Sequence, residues 1–170
     1  MKYLSAGGFQ THPLMRLTLG LALLLLAGFW ATNLGLYFMH MTLDPASVVA
    51  YYRGDEARFM PPRSAEGLLE VTHAHLPMFA LVLLLLTHLV IFLPGRNDTK
   101  VVLIVATFTS ALLFEAAGWM TRFWAPAWAW LKVISFVVLQ AALAWLIVGI
   151  AWGLARPGAA GRPRPTMKGL

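Results

Sequence analysis

No cysteine occurs in the 170 residues of this chain, which removes disulfide scaffolds and thiolate chemistry together. Charge is also scarce: Asp, Glu, Lys and Arg make up 12% of the sequence, about half the share usual in a soluble domain. There is no nucleotide-binding glycine loop, no H-E-x-x-H motif and no Ser/His/Asp arrangement, so hydrolase chemistry has no support. The formal net charge is +6, but Lys and Arg are scattered. That distribution argues against nucleic-acid binding. What the chain does have is apolar: 59% of it is hydrophobic, with a mean hydropathy of +0.72. Such an excess excludes disorder and leaves an integral membrane protein.

Four segments reach the ~20 apolar residues that a membrane-spanning helix needs. They run from about Leu14 to Met41, Leu68 to Leu93, Lys100 to Met120 and Ala127 to Ala155. A barrel would need many alternating segments of about ten residues, so the expected class is all-α, a four-transmembrane-helix up-down-up-down bundle. The connections PGRNDTK and TRFWAPAW are short and force antiparallel neighbours. The first span is too long for a signal-peptide core and lacks a small-x-small site after it, which reads as a signal anchor. Residues 1–155 form a single membrane domain, and 156–170, rich in Gly, Pro and Arg, read as a flexible basic cytoplasmic tail.

Orientation follows the basic residues near the span ends. With both termini inside, eight (Lys2, Arg16, Arg96, Lys100, Arg156, Arg162, Arg164, Lys168) lie on the inner side and five (Arg53, Arg58, Arg63, Arg122, Lys132) on the outer side. The expectation is a multi-pass protein of the bacterial inner membrane, N-in and C-in. Trp119, Trp124, Trp128 and Trp130 then form an outer aromatic belt, with Trp152 near the inner end. The outer connection, about residues 42–67, opens on Asp44-Pro45, an N-cap followed by proline at the first helical position, and predicts a short helix over Ala46–Tyr52. Arg53-Gly54-Asp55 ends that helix, and Ser64 caps the second span.

Ionisable residues inside a membrane are costly and mark function. Here they are His40, His73, His75, His88 and Glu115; His12 precedes the first span. At about 100° per residue, Glu70, His73, Pro77, Ala80, Leu84, Thr87, His88 and Ile91 share one stripe of the second span. That stripe should face the bundle and favours His73 over His75, although a kink at Pro77 keeps both open. Span one aligns Phe29, Asn33, Leu36, Tyr37 and His40; span three aligns Phe108, Ala111, Glu115, Trp119 and Arg122. Three spans thus contribute His40, Glu70, His73, His75, Glu115 and Arg122 to one polar layer in the outer third. Two neutral imidazoles from facing helices suit the axial positions of a haem iron, and a desolvated Glu115 can accept a quinol proton, with Arg122 near a propionate or quinol. Against this stand structural readings: a Glu115–Arg122 pair, His88 bonded to Thr107, and Asn33 and Gln140 as helix–helix glue. Met39 and Met41 beside His40, His73 and His75 also offer a soft set for copper, but the two methionines diverge by about 200° around a helix.

The bundle, the placement of His40 and His73, and the spacing of His73 and His88 resemble small b-type cytochrome subunits that anchor respiratory dehydrogenases and exchange electrons with quinone. The stretch VVAYYRGDE…MPPRSAEGLLEVTHAHLPM resembles an uncharacterised group of four-span bacterial membrane proteins. The cytochrome resemblance implies one haem b on the outer side held by His40 with His73 or His75, a second site near His88, a quinone, and partner redox subunits. The chain departs from that pattern in having no histidine in spans three and four. A cofactor-free assembly subunit is the reading of a different class.

Overall fold

The computed structural model describes residues 12–155. Five α-helices account for nearly all of them: α1 (Pro13–His40), α2 (Pro45–Arg53), α3 (Ala65–Ile91), α4 (Asn97–Phe123) and α5 (Ala129–Ala155). Single 3-10 turns lie at Glu56–Arg58 and Pro126–Trp128. Four helices, counting Pro126–Ala155 as one, are long and apolar enough to cross a membrane. The protein is a multi-pass, four-helix transmembrane bundle with α2 lying across one end. The expected spans each fall within a few residues of the helices. The tail 156–170 lies outside the described residues.

Alternating direction is visible in what meets at the α2 end. The last turns of α1 and α4 and the first turns of α3 and α5 line one cavity there. The core below is aliphatic, with Leu83, Leu86, Leu139, Leu143, Leu146 and Ile150 at most 1% exposed. Leucines exposed on the outer faces of the spans belong against lipid, since a helix satisfies its own backbone there.

The helices are not equally held. α4 and α5 form the central pair, and α3 packs on both. α1 packs chiefly on α5, and only Leu23 and Tyr37 of its 28 residues are buried. Its seat is aromatic: Tyr37 stacks on Phe136 with centroids 3.6 Å apart. Trp30 Nε1 also donates to the Gln140 carbonyl at 3.2 Å.

The connection over residues 42–67 forms much as its turn chemistry requires. The Asp44 carboxylate accepts from the Ala46 amide, Pro45 opens α2, and Ser64 Oγ accepts from the Gly67 amide to start α3. Gly54 ends α2 at φ 89°, where a Cβ would sit 2.8 Å from the Met60 carbonyl oxygen. No other residue fits that positive φ and close backbone approach without strain. Arginines tie the connection down. Arg53 Nε donates to the Thr121 carbonyl at 2.8 Å and its Nη2 to the Trp124 carbonyl at 3.3 Å, closing the C-terminal turn of α4. Arg122 Nε donates to the Arg63 carbonyl at 2.8 Å.

Candidate functional site

The face that α3 turns to the bundle is set by Leu68, Thr72, His75, Phe79, Val82 and Leu86. These follow one another at spacings of four and three, the rhythm of helix–helix packing. It is not the stripe expected from polarity. Glu70, His73, Pro77, Ala80, Leu84, His88 and Ile91 are exposed, and of that stripe only Thr87 is buried. The preference for His73 is therefore corrected: His75 turns inward and His73 outward. On a leucine-rich helix apolarity gives little contrast between faces. Near a span's end a polar side chain can also face headgroups and water rather than the bundle.

His75 meets the residue expected to carry proton chemistry. Its Nδ1 lies 2.7 Å from Glu115 Oε1, across the α3–α4 interface. With the carboxylate ionised, Nδ1–H donates. Thr72 Oγ1 donates to Glu115 Oε2 at 3.4 Å and itself accepts from Trp119 Nε1 at 2.9 Å. Glu115 is only 8% exposed, so α3 and α4 are joined at this level by a short polar chain in an apolar setting. The expected Glu115–Arg122 pair does not form; Arg122 turns to the 42–67 connection, with its guanidinium also over Phe123.

The pair opens on a cavity of about 200 Å³. α1 contributes Asn33, Leu36, Tyr37 and His40; α3 contributes Leu68, Val71, Thr72 and His75; α4 contributes Phe114, Glu115, Gly118 and Trp119. Met41, just past α1, Tyr51 and Tyr52 of α2, and Lys132 of α5 complete it. His40 is exposed and lies with its ring 5.4 Å from that of Tyr51, which also packs edge-on to Tyr52 at 5.1 Å and under the Arg63 guanidinium at 4.2 Å. Burial pushes the Tyr52 phenol well above its usual pKa, with Tyr51 and Glu115 adding to the effect, so it remains a protonated donor. Gly118 makes room for this ring, since a Cβ there would lie 2.9 Å from the Tyr52 hydroxyl.

Lys132 was read from sequence as an outer-flank charge, and the structure corrects this. It is 3% exposed, inside the bundle. Its Nζ donates to the Phe114 carbonyl at 2.7 Å and sits 3.2 Å from the centre of the Phe114 ring, a cation–π contact. The Tyr52 ring is 5.6 Å away. A signal for it existed in sequence: Lys132, Ser135 and Gln140 share the α5 face that carries Phe136, Leu139 and Leu143.

Other expectations are also corrected. His88 is exposed, with its ring edge-on to Phe92 at 5.3 Å, and Thr107 donates to the Leu103 carbonyl of its own helix. The Asn33 and Gln140 side chains make no interhelical bridge; Asn33 Nδ2 and both side-chain amide atoms of Gln140 are buried without a hydrogen-bond partner. Met39 is 77% exposed and Met41 7%, so the two thioethers diverge as the helical angle requires. Among the described residues no three His, Asp or Glu side chains come together as a metal-ligand set. Of the three histidines expected to hold a metal, His40 and His75 share the cavity and His73 does not.

Residues 42–161 match the family model Aq_1264_TM, described as a transmembrane helical domain. The chain belongs to this family. The match takes in the 42–67 connection, α3, α4 and α5, and hence the His75–Glu115 pair and Lys132. No curated protein and no solved structure matches the chain.

Proposed function

We propose that this member of the transmembrane helical domain family is a redox-linked membrane subunit whose outer cavity takes the head group of a quinol. Glu115, positioned with His75, accepts a proton as the quinol is oxidised. The carrying observation is the 2.7 Å bond between His75 and Glu115 at the wall of a cavity inside a membrane bundle. A buried carboxylate bonded to an imidazole is a general base with a second proton site behind it. Leu36, Leu68, Val71 and Phe114 offer apolar surface to a ring, and Tyr52 and Lys132 offer donors to its oxygens. At about 200 Å³ the cavity is below the ~300–1,000 Å³ of drug-sized ligands, which suits a single ring. Oxidation of one quinol to quinone releases two protons and two electrons. The first proton goes to the Glu115–His75 pair and the second to water at the cavity mouth, and a partner subunit's redox centre or a b-type haem would take the two electrons one at a time.

A haem b held within this chain is the second reading. It is favoured by His75, whose Nδ1 is tied to a carboxylate, the outer-shell arrangement that orients metal-bound histidines and leaves Nε2 for the iron. His40 on the same cavity supplies the other imidazole. A porphyrin exceeds the cavity, so α1, seated chiefly on α5, would have to move outward to admit it.

We place the protein in a bacterial inner membrane with both termini inside. With Lys132 inside the bundle, the outer flanks keep four of the basic residues counted there, which strengthens the inward charge bias. The cavity then faces the periplasmic third, where a redox partner can reach α2.

The test is calorimetric titration of the purified full chain with a short-chain quinone. One site per chain is expected, weakened at least tenfold in His75→Ala and unchanged in His73→Ala. A reduced-minus-oxidised spectrum separates the readings: a b-type α-band lost in both His40→Ala and His75→Ala supports haem. Neither binding nor band would leave a cofactor-free assembly subunit.

A further inference from the structure

At the opposite end of the bundle, two cavities run together. One, of about 420 Å³, lies where the α3–α4 turn meets α5 and includes Gly95, Arg96, Thr99 and Lys100. The other, of about 450 Å³, follows α5 and is lined by Ala141, Ala144, Trp145, Val148, Gly149 and Trp152. Trp145, Gly149 and Trp152 belong to both, so they form one continuous groove with an apolar arm and a basic mouth.

We propose that this groove is a binding site for an anionic phospholipid. Its dimensions fit one acyl chain. Ala141 to Trp152 is eleven residues of helix, about 16 Å at 1.5 Å per residue, close to half of the ~30 Å hydrocarbon core. Small residues line the arm, Ala141 and Ala144 before Trp145 and Gly149 between the two indoles, and a Cβ on Gly149 would meet nothing within 4 Å. The mouth lies at the helix ends, where headgroups belong. Arg96 and Lys100 bring two positive charges there. Asp98, held 3.4 Å from Arg96, offsets one, and it does not line the cavity. Lys100 is anchored, with Nζ donating to the carbonyls of Ile91 at 2.9 Å and Leu93 at 2.5 Å, so its charge is fixed at the mouth. Arg96 is the N-cap of α4 and makes no side-chain cap bond, which adds the positive end of that helix. A basic pocket between spans, continuous with an apolar groove, selects a phosphodiester lipid without a compensating cation. The site is independent of the outer cavity.

Native mass spectrometry of the full chain, released from mixed micelles of phosphatidylglycerol and phosphatidylcholine at equal amounts, tests this. One retained phosphatidylglycerol per chain is expected, at least fivefold in excess over phosphatidylcholine. Arg96→Gln should abolish the preference. Gly149→Leu, which fills the apolar arm and leaves the charges, should lower retention of both lipids. Lys100→Gln is less useful, because it also uncaps α3. Equal retention of the two lipids, an unchanged preference in Arg96→Gln, or displacement by glycerol phosphate at matched concentration would each overturn the proposal, the last because it would reduce the site to a phosphate subsite.

Discussion

Replacing Glu115 by Gln and Lys132 by Met, singly and together, probes the charges at the heart of the outer cavity. Both are buried, and Glu115 is the one carboxylate among the cavity's lining residues. The ion pairs within 4 Å among the described residues are Arg58–Asp55, His75–Glu115 and Arg96–Asp98, so Lys132 and Glu115 act on each other across the cavity. At more than 4 Å and an effective dielectric of about 20, their attraction stays below about 4 kcal/mol. Glu115→Gln keeps the side-chain volume and a hydrogen bond to His75 but turns a charged bond into a neutral one, a loss of about 1 kcal/mol. It also leaves Lys132 without its counter-charge. Lys132→Met loses the bond to the Phe114 carbonyl and isolates Glu115. Removing either charge of a buried pair destabilises more than removing both. The double variant should therefore be more stable than the sum of the single losses implies, by about 1–2 kcal/mol, within the range for residues sharing a network. Unfolding in mixed micelles with increasing dodecyl sulfate, followed by far-ultraviolet circular dichroism, measures all four proteins. Additivity within about 0.5 kcal/mol would refute the coupling.

Three further substitutions test the packing that builds the site. Gly118→Ala places a Cβ 2.9 Å from the Tyr52 hydroxyl, an overpacking expected to cost about 1–3 kcal/mol and to weaken quinone binding, both readable on one purified variant. Arg53→Gln gives up the donors on the Thr121 and Trp124 carbonyls; faster amide exchange at the end of α4, with that of the α3–α4 turn unchanged, is the expected signature. Gln140→Leu replaces a buried amide whose side-chain atoms have no partner by an apolar group of similar size, so it should be neutral or stabilising in the same dodecyl sulfate assay.

The helices were legible in the sequence because span length, Asp44-Pro45, Gly54 and Ser64 are local signals, each acting through its own backbone. The level of the polar layer was legible too, since rise per residue fixes depth. What sequence could not fix was azimuth. His73 and His75 differ by two residues and about 200°, and on α3 the packing rhythm of Leu68, Thr72, His75 and Phe79 overrode the polar stripe. Lys132 carried two competing signals: beside the tryptophans it has the setting of an interfacial anchor, while its helical face is that of Phe136, Leu139 and Leu143, and packing against Phe114 and Tyr52 decides for the second. The pairing of His75 with Glu115 joins residues 40 positions apart, and no local pattern encodes it.

The most direct measurement is an infrared difference spectrum of the protein, its quinone-bound state after oxidation minus its quinol-bound state. Proton transfer to Glu115 predicts a positive protonated-carboxyl band that shifts in deuterated water and disappears in Glu115→Gln. A spectrum with no such band, or one whose band survives that substitution, would contradict the role of the His75–Glu115 pair.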